Sequence, residues 1–153
     1  MKEFDYDLDY KRLDFTDQEN RKLYRIGRGE QGVLLVRPYT DDICAHWRFK
    51  TPEIALESAH TIFDMYLDYL EEKDFIGMDM CRKFLEMGFT RSRRYANHRN
   101  GKKYDEEGNV IPQEKDHATC HFATSATIFK KTRDVVAKNE TYVKMRKQWR
   151  SEE

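Results

Sequence analysis

Four short stretches of the chain carry residue types that could do chemistry. The first is Tyr24-Arg25-Ile26-Gly27-Arg28-Gly29-Glu30-Gln31-Gly32. Glycines at this spacing let backbone N–H groups approach an anion, and Arg25 and Arg28 supply positive charge. The stretch lacks the helix that must directly follow a dinucleotide fingerprint, and it lacks the Gly-Lys-Ser/Thr ending of a phosphate loop. The plainer alternative is a glycine-rich hairpin turn. The second stretch is Arg91-Ser92-Arg93-Arg94-Tyr95-Ala96-Asn97-His98-Arg99. On a helix, Arg91, Arg94 or Tyr95, and His98 share a face. Guanidinium forks match phosphate oxygens two bonds at a time. Tyr95 is suited to stack on a base or sugar, and a helix starting at Thr90 would add its partial positive charge. The alternative is a solvated basic face, or a belt that pairs with the acidic N-terminus.

The third stretch is His46-Trp47-Arg48-Phe49. Alternation aims His46 and Arg48 to one side and the two aromatic rings to the other. An imidazole with an ordinary pKa near 6.5 can act as a general base. No nucleophile is identifiable beside it, and a structural hydrogen bond is the commoner fate of such a histidine. Glu30 is the other candidate for moving a proton. The fourth stretch is His117-Ala118-Thr119-Cys120-His121, to which Cys44 and His46 could add ligands. The C-x-x-C spacing of a structural zinc site is missing, so neither metal nor cofactor is expected.

Charge is distributed unevenly between these stretches. The chain has 28 basic and 28 acidic residues and a net charge of zero, so global charge implies no nucleic-acid or membrane partner. Residues 1–20 nevertheless carry a net charge of −4 and residues 82–103 a net charge of +7.

The elements that must position these residues follow from periodicity and punctuation. Phe4, Tyr6, Leu8 and Tyr10 alternate with aspartates, which predicts an edge strand or an extended aromatic arm. Residues 23–26 and 33–36 predict two strands joined by the glycine turn, and residues 45–49 a third. Thr51-Pro52-Glu53 is a helix start, with apolar residues at helical spacing through about Lys73. Asp74 caps a second helix that Gly88 would stop, and Thr90 caps a short third helix over 91–98. A polar loop follows, then helices over 125–137 and 141–149. Strands first and helices after predict an α+β fold, with a small antiparallel sheet from the N-terminal third packed against four or five helices. The expected organisation is one domain over 1–153, with an acidic arm over 1–20, strands over 21–50, helices over 51–99, a loop over 100–118 and C-terminal helices over 119–150.

A chain of 153 residues can bury a core without disulfides, and its 13% aromatic content argues against disorder. Three cysteines, an odd number, fit reduced thiols, and no apolar run approaches the ~20 residues that span a bilayer. A cytoplasmic location is therefore expected.

The glycine stretch extended through Val33-Leu34-Leu35-Val36 resembles an uncharacterised family of bacterial and phage proteins, domain of unknown function 4385. So do His46-Trp47-Arg48-Phe49-Lys50-Thr51-Pro52-Glu53-Ile54-Ala55, Gly77-Met78-Asp79-Met80-Cys81-Arg82-Lys83-Phe84-Leu85 and Thr90-Arg91-Ser92-Arg93-Arg94-Tyr95-Ala96-Asn97-His98. The resemblance spans about residues 6–105 and implies one domain and a shared function, with no activity and no catalytic residues to carry over.

Three functions compete on these residues. The leading one is a binding module for a phosphate-bearing ligand, a nucleotide or a nucleic-acid strand, through Arg25, Arg28, Arg48, Arg91, Arg94, Tyr95 and His98. The second is an enzyme acting on a small phosphorylated or carboxylated molecule, with Glu30 or His46 moving a proton. It requires the glycine turn, His46 and the basic helix to meet in one cleft. The third is a structural or adaptor protein whose acidic arm covers its basic helix.

Overall fold

Two capping residues set the frame of the computed structural model, which describes residues 2–153. Thr51 accepts a hydrogen bond from the Ile54 N–H at 3.2 Å and, with Pro52 in the first turn, starts helix α3, Pro52–Glu72. Its buried residues Ala55, Ala59, Ile62 and Tyr66 recur every three or four positions and face the core. Lys73 closes the helix in the left-handed region, at φ 56°. Asp74 then accepts from the Gly77 N–H at 3.3 Å and starts α4, Phe75–Asn97. The same carboxylate receives Arg21 at 2.8 Å and the Tyr39 hydroxyl at 2.5 Å. It thereby ties α4 to α1, Gln18–Arg21, and to α2, Tyr39–Cys44.

Helix α4 is the axis of the molecule. Phe75, Ile76, Met78, Met80, Cys81, Phe84 and Leu85 are buried along it. Helix α5, His121–Lys138, packs along it, and α3 packs against both. Helix α6, Glu140–Ser151, crosses the ends of α4 and α5. Asn139 starts α6 by accepting from the Tyr142 N–H at 3.2 Å, and it also accepts from the Tyr66 hydroxyl at 3.0 Å.

The fold is therefore helical, and the expected α+β class with an antiparallel sheet is overturned. The only β-type pairing among the described residues is an isolated bridge between Tyr104 and Val110. Backbone hydrogen bonding explains the difference, because every buried peptide group needs a partner but the partner need not be a strand. Residues 33–36 form successive tight turns, with Val33 N–H donating to Glu30 and Leu35 N–H to Gly32. Thr40 locks them by donating to the Val33 carbonyl at 2.8 Å and accepting from the Val36 N–H at 2.9 Å. Residues 45–47 also turn, and Ser58 on α3 binds the Arg48 N–H at 2.9 Å and the His46 carbonyl at 2.7 Å. The arm is not an edge strand: Phe4 and Tyr10 are buried without strand pairing, and a 3-10 turn, Tyr10–Arg12, bends the chain beyond them.

A second correction concerns α4, which runs unbroken where a stop at Gly88 and a new cap at Thr90 were expected. Gly88 is a site of close approach: a Cβ there would collide with the Phe129 ring of α5. Thr90 lies inside the helix and donates to Glu30 on the glycine turn at 2.8 Å. Gly88→Val is therefore expected to destabilise the protein by about 1–3 kcal/mol through overpacking, despite removing a helical glycine. Urea unfolding measures this, and an unchanged midpoint would mean that α4 and α5 can part there at no cost.

Candidate anion-binding cleft

Glycines 27, 29 and 32 have φ of 68°, 53° and 77°, so the turn adopts a backbone path that other residues rarely follow. That path aims its carbonyls at three cations. Arg150 of α6 donates to the Gly27 carbonyl at 2.9 Å, and Arg82 of α4 to the Gly29 carbonyl at 2.9 Å. Lys83 donates to the Gln31 carbonyl at 2.6 Å and the Arg25 carbonyl at 3.3 Å. The ammonium also lies 4.9 Å from the Phe4 ring centre and 4.8 Å from that of Tyr24.

Beneath the turn sits Asp79, fully buried on α4. Arg82 Nε donates to it at 2.8 Å, Tyr142 donates at 2.6 Å, and the Tyr24 hydroxyl donates to its other oxygen. Burial alone would raise this carboxyl. The Arg82 and Lys83 charges and the hydrogen bonds from Arg82 and Tyr142 outweigh it and hold the group at about 2. Burial beside Asp79 pushes the Tyr24 and Tyr142 hydroxyls well above 10, so both stay protonated and donate.

Arg82 and Tyr142 also line the floor of a cleft of about 690 Å³ between α4, α5 and α6. Its walls carry five cations, Arg82, Arg133, Arg146, Lys147 and Arg150, against two acids, Glu86 and Asp134. Arg133 holds both acids, Glu86 at 2.5 Å and Asp134 at 2.7 Å. Arg82 and Arg150 each bind a turn carbonyl, and the Arg82 charge is balanced by Asp79 beneath it. Arg150 Nη1 is buried with no hydrogen-bond partner, and its nearest carboxylate, Glu153, is 3.8 Å away. Arg146 and Lys147 make no side-chain hydrogen bond or ion pair among the described residues. Such a site presents guanidinium and ammonium donors to an anion over a preorganised floor.

The residues singled out from the sequence lie elsewhere, in separate hollows. Arg25 is half-buried beside Trp149 and Glu153. Arg28 is exposed and pairs with Glu3 at 3.4 Å. Arg28, Glu30 and Arg91 share one hollow with Tyr6. Burial raises the Glu30 carboxyl, against the hydrogen bond from Thr90. Arg48 is exposed and donates to the Trp47 carbonyl at 2.7 Å, and Tyr95 lies near it between Phe49 and Phe122. Arg94 and His46 are exposed, while His98 is buried with an unpartnered Nδ1. Of the hollows described for residues 2–153, Glu30 lines one and His46 none, so none of them brings together the groups that the enzyme reading requires. The acidic arm does not neutralise the basic end of α4: outside the arm itself its carboxylates pair only with Arg28, among the described residues. Nor is there, among those residues, a group of three or more His, Cys, Asp or Glu that could hold a metal ion.

Sequence reasoning missed the cations of α6. The available signal was Arg146, Lys147 and Arg150 within one and a half turns, with no acid between Glu140 and Glu152.

No helix of the described residues is long and apolar enough to cross a membrane. No curated protein and no solved structure matches the chain. A family model, Domain of unknown function (DUF4385), matches residues 5–152, which takes in the C-terminal helices that complete the cleft as well as the glycine turn. The chain thus belongs to the DUF4385 family.

Proposed function

We propose that the protein binds a phosphate-bearing small molecule in the cleft between α4, α5 and α6. The observation that carries this reading is the uncancelled charge of Arg146 and Lys147 beside Arg82 and Arg150, in a cleft of ligand size. Three helices contribute donors, so a ligand with several anionic oxygens is gripped from more than one side. The floor is held by the Asp79 network, which keeps Arg82 in place before any ligand arrives.

Inorganic triphosphate, titrated calorimetrically at low salt, is the direct probe. Binding is expected to weaken about tenfold or more in the double variant Arg146→Ala/Lys147→Ala, a loss of about 1.4 kcal/mol or more. Both side chains are on the outer part of α6, so the fold should persist, which circular dichroism checks. Absence of binding to triphosphate and to a panel of nucleotides and sugar phosphates would sink the reading.

A further inference from the structure

Trp47, Phe49, Tyr95 and Phe122 meet at the far end of α4, where they line an open hollow of about 350 Å³. Ring centres lie 5.2 Å apart for Trp47 and Phe49, 5.7 Å for Phe49 and Tyr95, and 5.5 Å for Tyr95 and Phe122. Rings deeper in the core, such as Phe15, Tyr24 and Phe129, are 1% exposed or less. These four rings are each only partly buried, which hydrophobic burial alone does not favour. The indole N–H of Trp47 is itself buried and has no hydrogen-bond partner.

The charge around the hollow determines what it would accept. Arg48 and Lys50 line its edge. Arg91 and Arg94, exposed on the same end of α4, make no ion pair among the described residues. Nor do Lys102 and Lys103, on the loop that follows. Four rings around a pocket can also cage a quaternary ammonium, but a cationic rim repels one. Aromatic faces beside uncancelled positive charge match a planar base on an anionic backbone. The cations extend well beyond one pocket, which fits a strand rather than a lone nucleotide.

We propose that this hollow is a base-stacking site for single-stranded nucleic acid, separate from the cleft at the other end of α4. One base lies in the hollow against Phe49, Tyr95 and Phe122. The flanking phosphates run past Arg48, Lys50 and Arg94.

A ten-nucleotide oligodeoxythymidylate, followed by anisotropy of an attached dye and by tryptophan fluorescence, tests this. The strand is expected to bind at low salt, to quench Trp47 and to weaken steeply as salt rises. Phe122→Ala should reduce affinity about tenfold, the range of one lost stacking partner. Lys50→Glu, an exposed substitution that leaves the packing intact, should do the same if Phe122→Ala fails to fold. Arg146→Ala/Lys147→Ala should leave strand affinity unchanged, which separates this site from the cleft. No binding, equal binding of a duplex of the same length, or affinity indifferent to both hollow variants would each overturn the proposal.

Discussion

Replacing Asp79 by alanine is expected to cost about 3–5 kcal/mol of stability, the range for removing one partner of a buried charge cluster. The carboxylate is fully buried and accepts three hydrogen bonds from three elements: Tyr24 from the glycine segment, Tyr142 from α6, and Arg82 on its own helix. Without it, Arg82 keeps only the Gly29 carbonyl, and two tyrosine hydroxyls lose their acceptor inside the core. Asp79→Asn keeps an acceptor oxygen and should lose less. Its charge has a pH signature as well. The folded carboxyl is depressed to about 2, below its ordinary value of 3.8, so its contribution is fully present above that value and is lost as pH falls through about 2. A shift of this size corresponds to about 2–3 kcal/mol. Urea unfolding between pH 6 and pH 2 should therefore show a steep acid limb in the wild type and a shallower one in Asp79→Asn. A double variant, Asp79→Asn/Arg82→Gln, that proved as stable as the wild type would show that the pair contributes specificity without stability.

The cleft depends on the same cluster. Arg82 lines its floor and is oriented by Asp79 on one side and Gly29 on the other. Triphosphate affinity should thus fall in Asp79→Asn even where the protein remains folded, although Asp79 itself touches no ligand. The link runs from one buried carboxylate to the direction of one guanidinium. It follows from geometry that the helices fix before any ligand is present.

Helix starts were legible in the sequence because they depend on neighbouring residues alone. Thr51-Pro52 and Asp74 could each be read as caps, and both cap as expected. The N-terminal third was misread because its apolar runs have the composition of strands, while their fate depends on distant partners. Arg150 lies more than a hundred residues from the Gly27 carbonyl it holds, and Lys83 more than fifty from that of Gln31. A chain whose carbonyls are collected by buried cations needs no sheet, and nothing local announces that. Gly88 was misread for the same reason: a glycine that ends a helix and one that admits a neighbouring ring look alike until the neighbour is known. The dense arginines of 91–99 were visible, whereas the cleft is assembled from cations spread over three helices. Of the hollow at the other end of α4, Tyr95 and the His46-Trp47-Arg48-Phe49 alternation were legible, and the contribution of Phe122 was not.

Stability should rise with pH from about 7 toward 9, and Lys83 is the cause. Burial pulls this ammonium from its ordinary 10.5 down to about 7, against the favourable pull of Asp79 and with Arg82 and Arg150 pushing the same way as burial. Below about 7 both folded and unfolded chains carry the proton, and the cost of burying the charge is present in full. Between about 7 and 10.5 the folded protein releases the proton while the unfolded chain still holds it. The unfolded state then binds more protons, so unfolding becomes harder as pH increases, by at most about 1.4 kcal/mol per pH unit. Above about 9 the buried Cys81 thiol, pushed up by burial, begins to oppose this trend, and above about 10 the trend reverses. Burial raises the Tyr10, Tyr39 and Tyr66 hydroxyls to about 12, so the unfolded chain loses those protons first and is favoured. Urea unfolding at half-unit steps from pH 6.5 to 8.5, below the range where the raised Cys81 thiol favours the unfolded chain, should give a rising wild-type curve and no such rise for Lys83→Met, whatever the variant's absolute stability. Two parallel curves would mean that the Gln31 and Arg25 carbonyls and the two aromatic faces hold the ammonium charged in the fold, with those contacts outweighing its loss of water.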